Sequence, residues 1–532
     1  MSRTPSTLTV LVLLLVSACA GGEADFDVLI EGATIVDGSG NAPITGDIAI
    51  SGDRIAAIGD LGHATATERI SGKGLVAAPG FIDIHSHATS GSIEQSAISL
   101  RPDAENYVRQ GVTTVLGGQD GSSMQDVGAF LAHMDAHPAA INVGVFFGHG
   151  SLRGRVVGQE NVSATQESLD EMVRQVEQAM MDGAFGLSSG LEYTPGAFAG
   201  VDEVAALAAP VAANDGMYIS HIRDEGGLLL ESVDEVLEVG RRSGARVQIT
   251  HHKVIGKGRW GMADQSLALI DQARAEGVDA SSDQYPYTAS STGLTILFPT
   301  WSKDGGFEAL QERLADPTQR ARIREDVIEH ITIERGADPA TIVAARCEFD
   351  SSFNGKSLAD ILVDRGHPVT VSGAADVAME LVEAGSCSGV FHSMSTEDVR
   401  TIMQHPWTSI SSDGGIPALG EGVPHPRNYG AFARVLGRYV RQDSVLSLAE
   451  AVHKMSGLPA RRLNLSDRGR LQEGFVADIT LFDPDTIIDS AVFGDPHHYA
   501  EGTLYVWVSG VPVLSNGQMT GQRPGKALRH GK

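Results

Sequence analysis

Eight apolar segments, several of them ending in polar residues and separated by helical stretches, restrict what this chain can fold into. They span residues 75–87, 112–120, 143–149, 184–189, 217–221, 247–252, 278–287 and 408–413. Strands that alternate with helices form βα units around a parallel sheet. Eight units predict a (β/α)8 barrel, an α/β fold whose catalytic residues stand at the C-terminal ends of the strands. The 532 residues leave room for a companion domain. Short β patterns punctuated by Gly and Asp fill residues 25–75 and return over 465–525. They predict one small β-sandwich built from both chain ends, beside a barrel at 76–464. A segment at about 301–396, with a charged helical run at 307–330, reads as an insertion able to cap the site.

The first nineteen residues read as a lipoprotein signal peptide. Arg3 gives a positive start, residues 8–16 an apolar core, and Val16-Ser17-Ala18-Cys19 has the look of a lipobox. The apolar run is too short to remain as a membrane span. Cleavage before Cys19 and acylation of its thiol would leave the protein lipid-anchored in the cell envelope. Ala20 follows the cysteine rather than Asp, which in lipoproteins of this look implies sorting outward, to the periplasmic face of the outer membrane. A net charge of -27 argues against nucleic acid as a partner. Cys347 and Cys387 allow at most one disulfide and lack zinc-ribbon spacing, so buried thiols are the expectation.

The chemistry-bearing residues gather at the predicted strand ends. His85 and His87 alternate on one strand, so both imidazoles face one side and can reach one metal. Asp83 shares their phase. His221 ends the fifth segment, His251-His252 the sixth and Asp413 the eighth. Neighbouring strand residues point to opposite faces, so one of His251 and His252 faces the barrel mouth. Several such ligands at one end of one barrel point to a metal-dependent hydrolase.

These segments resemble the amidohydrolase superfamily, and within it the D-aminoacylase group of N-acyl-D-amino-acid deacylases. The likeness rests on Pro79-Gly80-Phe81-Ile82-Asp83-Ile84-His85-Ser86-His87 and on residues 148–153, 186–193, 220–226, 251–253, 283–292, 412–414 and 425–427, in order along the chain. It implies hydrolysis of a linear amide in N-acyl-D-amino acids or dipeptides ending in a D-residue. It also implies one or two zinc ions and a small substrate with a free carboxylate. His221 and His251 would hold the tighter zinc, and His85 and His87 a second position. Asp413 would be general base and then acid. Lys253, Tyr285, Ser291 and Arg427 would grip the substrate carboxylate, with Tyr193 and His149 lining the pocket. Asp120 departs from the pattern: it stands where such enzymes carry a bridging cysteine. It is either a bridging carboxylate, harder than sulfur, or a turn residue before Gly121. The fourth segment has no lysine to carbamylate, which argues against the hydantoinase type. The competing readings are a cyclic-amide or general dipeptide hydrolase of the same superfamily, and a non-catalytic binding lipoprotein.

Overall fold

The computed structural model describes residues 24–531; Cys19 and its signal lie outside them. Eight parallel barrel strands run in chain order: Phe81–Asp83, Val112–Gly117, Asn142–Val145 (continued as Phe147–Gly148), Gly186–Gly190, Met217–His221, Arg246–Ile249, Ala280–Gln284 and Thr408–Ile410. Closure falls between the first and last, where Ser86 bridges Gly414 and the Asp413 N–H donates to His85 O at 2.9 Å. The barrel helices follow from their apolar stripes. Leu229–Ser243 buries Leu229, Val233, Val236, Leu237 and Gly240 at helical spacing. Arg241 and Arg242 sit in its last turn, and Gly244 ends it at φ +75°, a left-handed cap that glycine adopts at no steric cost.

The first predicted segment is two strands. Val76–Pro79 pairs antiparallel with Ile479–Phe482, and only Phe81–Asp83 enters the barrel. Gly80 is the joint, because a Cβ there would lie 2.2 Å from Thr113 Oγ1. The two chain ends meet through this pairing in a nine-stranded sheet. Its strands are Phe26–Ile35, Ile44–Ser51, Arg54–Gly59, Ala66–Ser71 and Val76–Pro79 from one end, and Ile479–Phe482, Thr503–Val508, Val511–Ser515 and Gln518–Met519 from the other. Val28, Ile30, Ile48, Ile50, Leu481 and Trp507 share one small core. Val506 and Val508, on the opposite face from Trp507, pack into the barrel core instead, as the two-residue period of a strand requires.

The insertion begins at Ser290, earlier than the sequence signal. Ser290–Gly293 and Ile342–Cys347 flank Cys387–Phe391 in an antiparallel three-stranded sheet, backed by helices with a core of their own. The helical run at 307–330 is broken in two, Gly306–Ala315 and Pro317–Glu334. Asp316 caps the second helix, accepting from Thr318 N at 3.0 Å and Gln319 N at 2.8 Å, with Pro317 in the first turn. Among the described residues no helix is long and apolar enough to cross a membrane.

The expectation of buried thiols is half right. Cys347 and Cys387 are buried, but they face each other across the sheet and form a disulfide. The bond closes a sequence separation of 40 residues. A loop of that size stabilises by roughly 2–4 kcal/mol through the unfolded state. Reductant, or Cys387→Ala, should therefore lower the unfolding midpoint of the insertion; an unchanged melting curve would count against a formed bond.

Candidate active site

Six residues named from the sequence converge at the C-terminal mouth of the barrel. His85 and His87 follow the first strand, Asp120 the second, His221 ends the fifth, His251 follows the sixth and Asp413 the eighth. Three of them leave their strands in the left-handed region: Asp120 at φ 53°, His251 at 36° and Asp413 at 49°. Such backbone costs about 1–3 kcal/mol per residue and persists only where neighbours fix it. The fixing bonds are visible: His251 N donates to Asp283 Oδ1 and Asp413 N to His85 O, both at 2.9 Å. At Asp120 the constraint is steric. A Cβ on Gly118 would lie 2.0 Å from Phe146 O, so the chain passes too close for any other residue.

The kink at His251 decides between the paired histidines. His251 turns into the mouth, whereas His252 Nε2 lies 2.9 Å from Ser266 Oγ on an outer helix. Burial pushes the His252 pKa down to about 3, so it is neutral.

Two candidate metal groups share Asp120. One is His85, His87, Asp120 and Asp413; the other is Asp120, His221 and His251; the ligand atoms of each lie within 4.8 Å of one another. His87 Nε2 stands 3.4 Å from Asp120 Oδ2 and 3.0 Å from Asp413 Oδ1. His85 Nε2 is 3.6 Å from Asp120 Oδ1 and 3.5 Å from Asp413 Oδ1. His251 Nε2 is 3.4 Å from Asp120 Oδ1 and only 2.7 Å from His221 Nδ1.

This donor set fits a metal ion. Both ring nitrogens of the fully buried His85, and Asp120 Oδ1, have no hydrogen-bond partner. Buried polar atoms are almost always satisfied, and leaving one bare costs on the order of 1–3 kcal/mol. Imidazole nitrogens and carboxylate oxygens converging on one point are the ligands zinc accepts.

The protein-only electrostatics show how strongly the acids act. Burial lowers the His87 pKa, but the Asp120 and Asp413 carboxylates outweigh it and hold it at about 9. Burial likewise works to raise the Asp413 pKa, yet Arg427, His85 and His87 keep it well below the usual carboxylate range. Asp83 is not at the metal groups. It accepts from Ser412 N at 2.9 Å and from the Ser412 hydroxyl, bracing the turn that presents Asp413. Burial raises its pKa to about 7.

Acids that sequence reasoning missed hold the histidines. Glu192 Oε2 lies 2.7 Å from His221 Nε2, and Glu225 Oε1 3.1 Å from His251 Nδ1. Asp283 accepts from His251 N, from Gln248 Nε2 at 2.6 Å and from Ser411 Oγ at 2.7 Å, with Oδ1 3.6 Å from His85 Nδ1. All three sit inside the resembling segments. Their tie to a histidine depends on how separate loops fold back, which spacing does not reveal.

A cavity of roughly 510 Å³ opens over the metal groups, lined by His87, Asp120, Tyr193, Ser291, Asp413 and Arg427 among others. Arg427 Nη1 donates to Asp413 Oδ2 at 2.6 Å and its Nη2 to Ser291 O at 3.1 Å. Tyr193 packs on the His221 ring and reaches Thr292 Oγ1 at 3.2 Å. Three expected pocket residues lie behind this wall. The Lys253 ammonium is buried against Glu225 and His251, and both it and the Arg427 guanidinium lie over the Tyr285 ring. His149 is a correction: its Nε2 meets Glu203 Oε1 at 3.0 Å beside Arg153, and its neighbours Gly150 and Ser151 line the cavity instead. It begins the helix His149–Val156 and is buried there.

A model described as "Amidohydrolase family" matches residues 365–514. The D-aminoacylase of Alcaligenes xylosoxydans xylosoxydans is 35% identical over 94% of this chain and 97% of its own length. The chain belongs to the amidohydrolase superfamily, in its D-aminoacylase group. The N-acyl-D-aspartate deacylase of the same organism is 32% identical over 96% of both chains. The crystal structure of N-acyl-D-glutamate deacylase from Bordetella bronchiseptica, complexed with zinc and a phosphonate inhibitor, superposes with a TM-score of 0.81 at 32% identity. It covers 95% of this chain and 99% of that one. A D-hydantoinase, at 14% identity and a TM-score of 0.56, shares the fold alone. As a member of this group the protein is a metal-dependent hydrolase of carbon–nitrogen bonds other than peptide bonds.

Proposed function

We propose that this amidohydrolase is a zinc-dependent deacylase of N-acyl-D-amino acids, acting outside the cytoplasm. The observation that carries the reading is the meeting of Asp413, Arg427 and the two Asp120-centred metal groups on one cavity wall. Asp120, His221 and His251 would hold one ion, with Asp120 shared toward a second position at His85 and His87. Zinc bound there lowers the pKa of water to about 7 and polarises a carbonyl.

The chain's own residues supply the rest. Asp413 Oδ1 faces the metal groups, and there its carboxylate takes a proton from the attacking water. It then delivers that proton to the departing amine, which would otherwise leave as a strongly basic anion. Arg427 holds Asp413 through Nη1 and has donors left for a substrate carboxylate, with Ser291 beside it. The Tyr285 ring packs against the Arg427 guanidinium, with Lys253 also beside that ring. Arg427→Met should raise KM for an N-acyl-amino acid by roughly tenfold or more. Steady-state kinetics with the free acid and its methyl ester check this: an equal loss on both would remove the carboxylate contact from the account.

A lipid anchor at Cys19 would place the enzyme on the periplasmic face of the outer membrane. The Cys347–Cys387 bond supports an oxidising compartment, where disulfides persist. Purified protein lacking residues 1–19, assayed on paired N-acetyl-D- and N-acetyl-L-amino acids with and without chelator, tests the reading. Hydrolysis confined to the D-series and lost on chelation is expected. Activity indifferent to metal removal would end it, and equal rates on both series would remove the stereochemical claim.

A further inference from the structure

A second lobe opens from the same reaction centre. It holds roughly 250 Å³ and shares His87, Ser291, Asp413 and Arg427 with the larger cavity. Its own wall carries Arg101, Arg346, Ser388 and Glu421. Arg427 is committed to Asp413, so the remaining charges lining the lobe are two arginines against one glutamate, with Glu348 reaching Arg346 from outside the lobe. In a chain of net charge -27 this is a cationic exception.

Arg101 has no carboxylate partner among the described residues, and Arg346 has only loose ones. Arg101 Nε donates to Ile416 O at 2.7 Å, which fixes the side chain, and no carboxylate among the described residues lies within 4 Å of its guanidinium. Arg346 has only loose ion pairs, 3.9 Å to Glu348 and 3.7 Å to Glu421. Its backbone, in contrast, is held firmly. Arg346 pairs in register with Ser388, and the next rung of the ladder is the Cys347–Cys387 disulfide. The insertion sheet thus delivers Ser291, Ser388 and Arg346 to one wall of the reaction centre.

We propose that this lobe is a subsite for a second anionic group on the substrate, a carboxylate beyond the one held by Arg427. The inference rests on the deacylase reading and narrows it. The second carboxylate belongs to one of two halves of the molecule: an acidic amino-acid side chain, or a dicarboxylic acyl group. Guanidinium donors, one held by Ile416 and one presented by a rigid strand, recognise either through charge-assisted hydrogen bonds. Glu421, 60% exposed, sits at the outer edge and turns toward solvent when an anion takes Arg346.

The test compares kcat/KM of the signal-free enzyme on two matched pairs. N-acetyl-D-glutamate against N-acetyl-D-glutamine reads the side-chain source; N-succinyl-D-alanine against N-succinamoyl-D-alanine reads the acyl source. We expect an acid-to-amide ratio of roughly tenfold or more for one pair, collapsing toward one in Arg346→Met and falling in Arg101→Met. Ratios near one or below for both pairs, or a high ratio untouched by either substitution, would overturn the subsite. If no substrate turns over, the deacylase reading fails by itself. The shift in melting temperature caused by each acid against its amide, in wild type and Arg346→Met, then still decides whether the lobe binds the anion.

Discussion

Replacing Asp413 with asparagine should lower turnover by about 10²- to 10⁴-fold while leaving a folded protein. Asparagine matches the shape of aspartate and still offers an acceptor to Arg427 Nη1, now 2.6 Å from the carboxylate. It cannot take up a proton and return it. Asp120, His221 and His251 form a metal group without Asp413, so at least one bound ion should survive the substitution. The measurement is kcat together with metal content per chain. Activity within a few-fold of wild type would dismiss Asp413 as the proton carrier. Loss of all metal would recast it as a structural ligand.

Stripping the metal should abolish activity and also soften the fold around the mouth. An ion held here would give the bare Nε2 of His85 a partner, while Nδ1 faces Asp283, and would draw on the nitrogens of His221 and His251 that now lie 2.7 Å apart. An ion at about 100 times its dissociation constant stabilises the native state by about 2.7 kcal/mol. Chelated protein should therefore melt earlier and recover on adding zinc. His251→Ala should reproduce the loss of activity without recovery. It should also flatten the zinc-dependent shift in melting temperature, because Asp120 and His221 alone leave that position two-coordinate. A zinc-dependent shift as large as wild type in His251→Ala would remove His251 from the ligand set.

The barrel was legible because most strands are short apolar runs closed by polar residues, alternating with helices that carry an apolar stripe; the serine-rich strands Gly186–Gly190 and Ala280–Gln284 were placed by their position in that alternation. The site was legible for the same reason: histidines and an aspartate standing at strand ends need no contact map to be placed together. The sequence signal failed where the determinant was local geometry or a distant partner. Residues 75–82 form one apolar run in which only Pro79-Gly80 marks the joint between two sheets, and the apolar pattern continues across it. Alternation alone leaves His251 and His252 equivalent; a φ of 36° breaks the tie. The pairing of Cys347 with Cys387 depends on antiparallel register across the intervening helices. Glu192 and Glu225 become partners of His221 and His251 only after two loops fold over the barrel rim.

The joint at Gly80 also orders events in time. Pro79, one residue before it, is paired with Ile479, and His85 is bonded to the backbone of Asp413. Both seams that pin the first metal-binding corner are thus sealed by chain made after the other seven barrel strands. Closing loops of that span is slow, because their entropy must be surrendered before any contact rewards it. A nascent or truncated chain can hold most of the barrel and still lack an assembled corner at His85 and His87. Catalytic competence in this protein therefore waits on its eighth barrel strand and on the strand Ile479–Phe482.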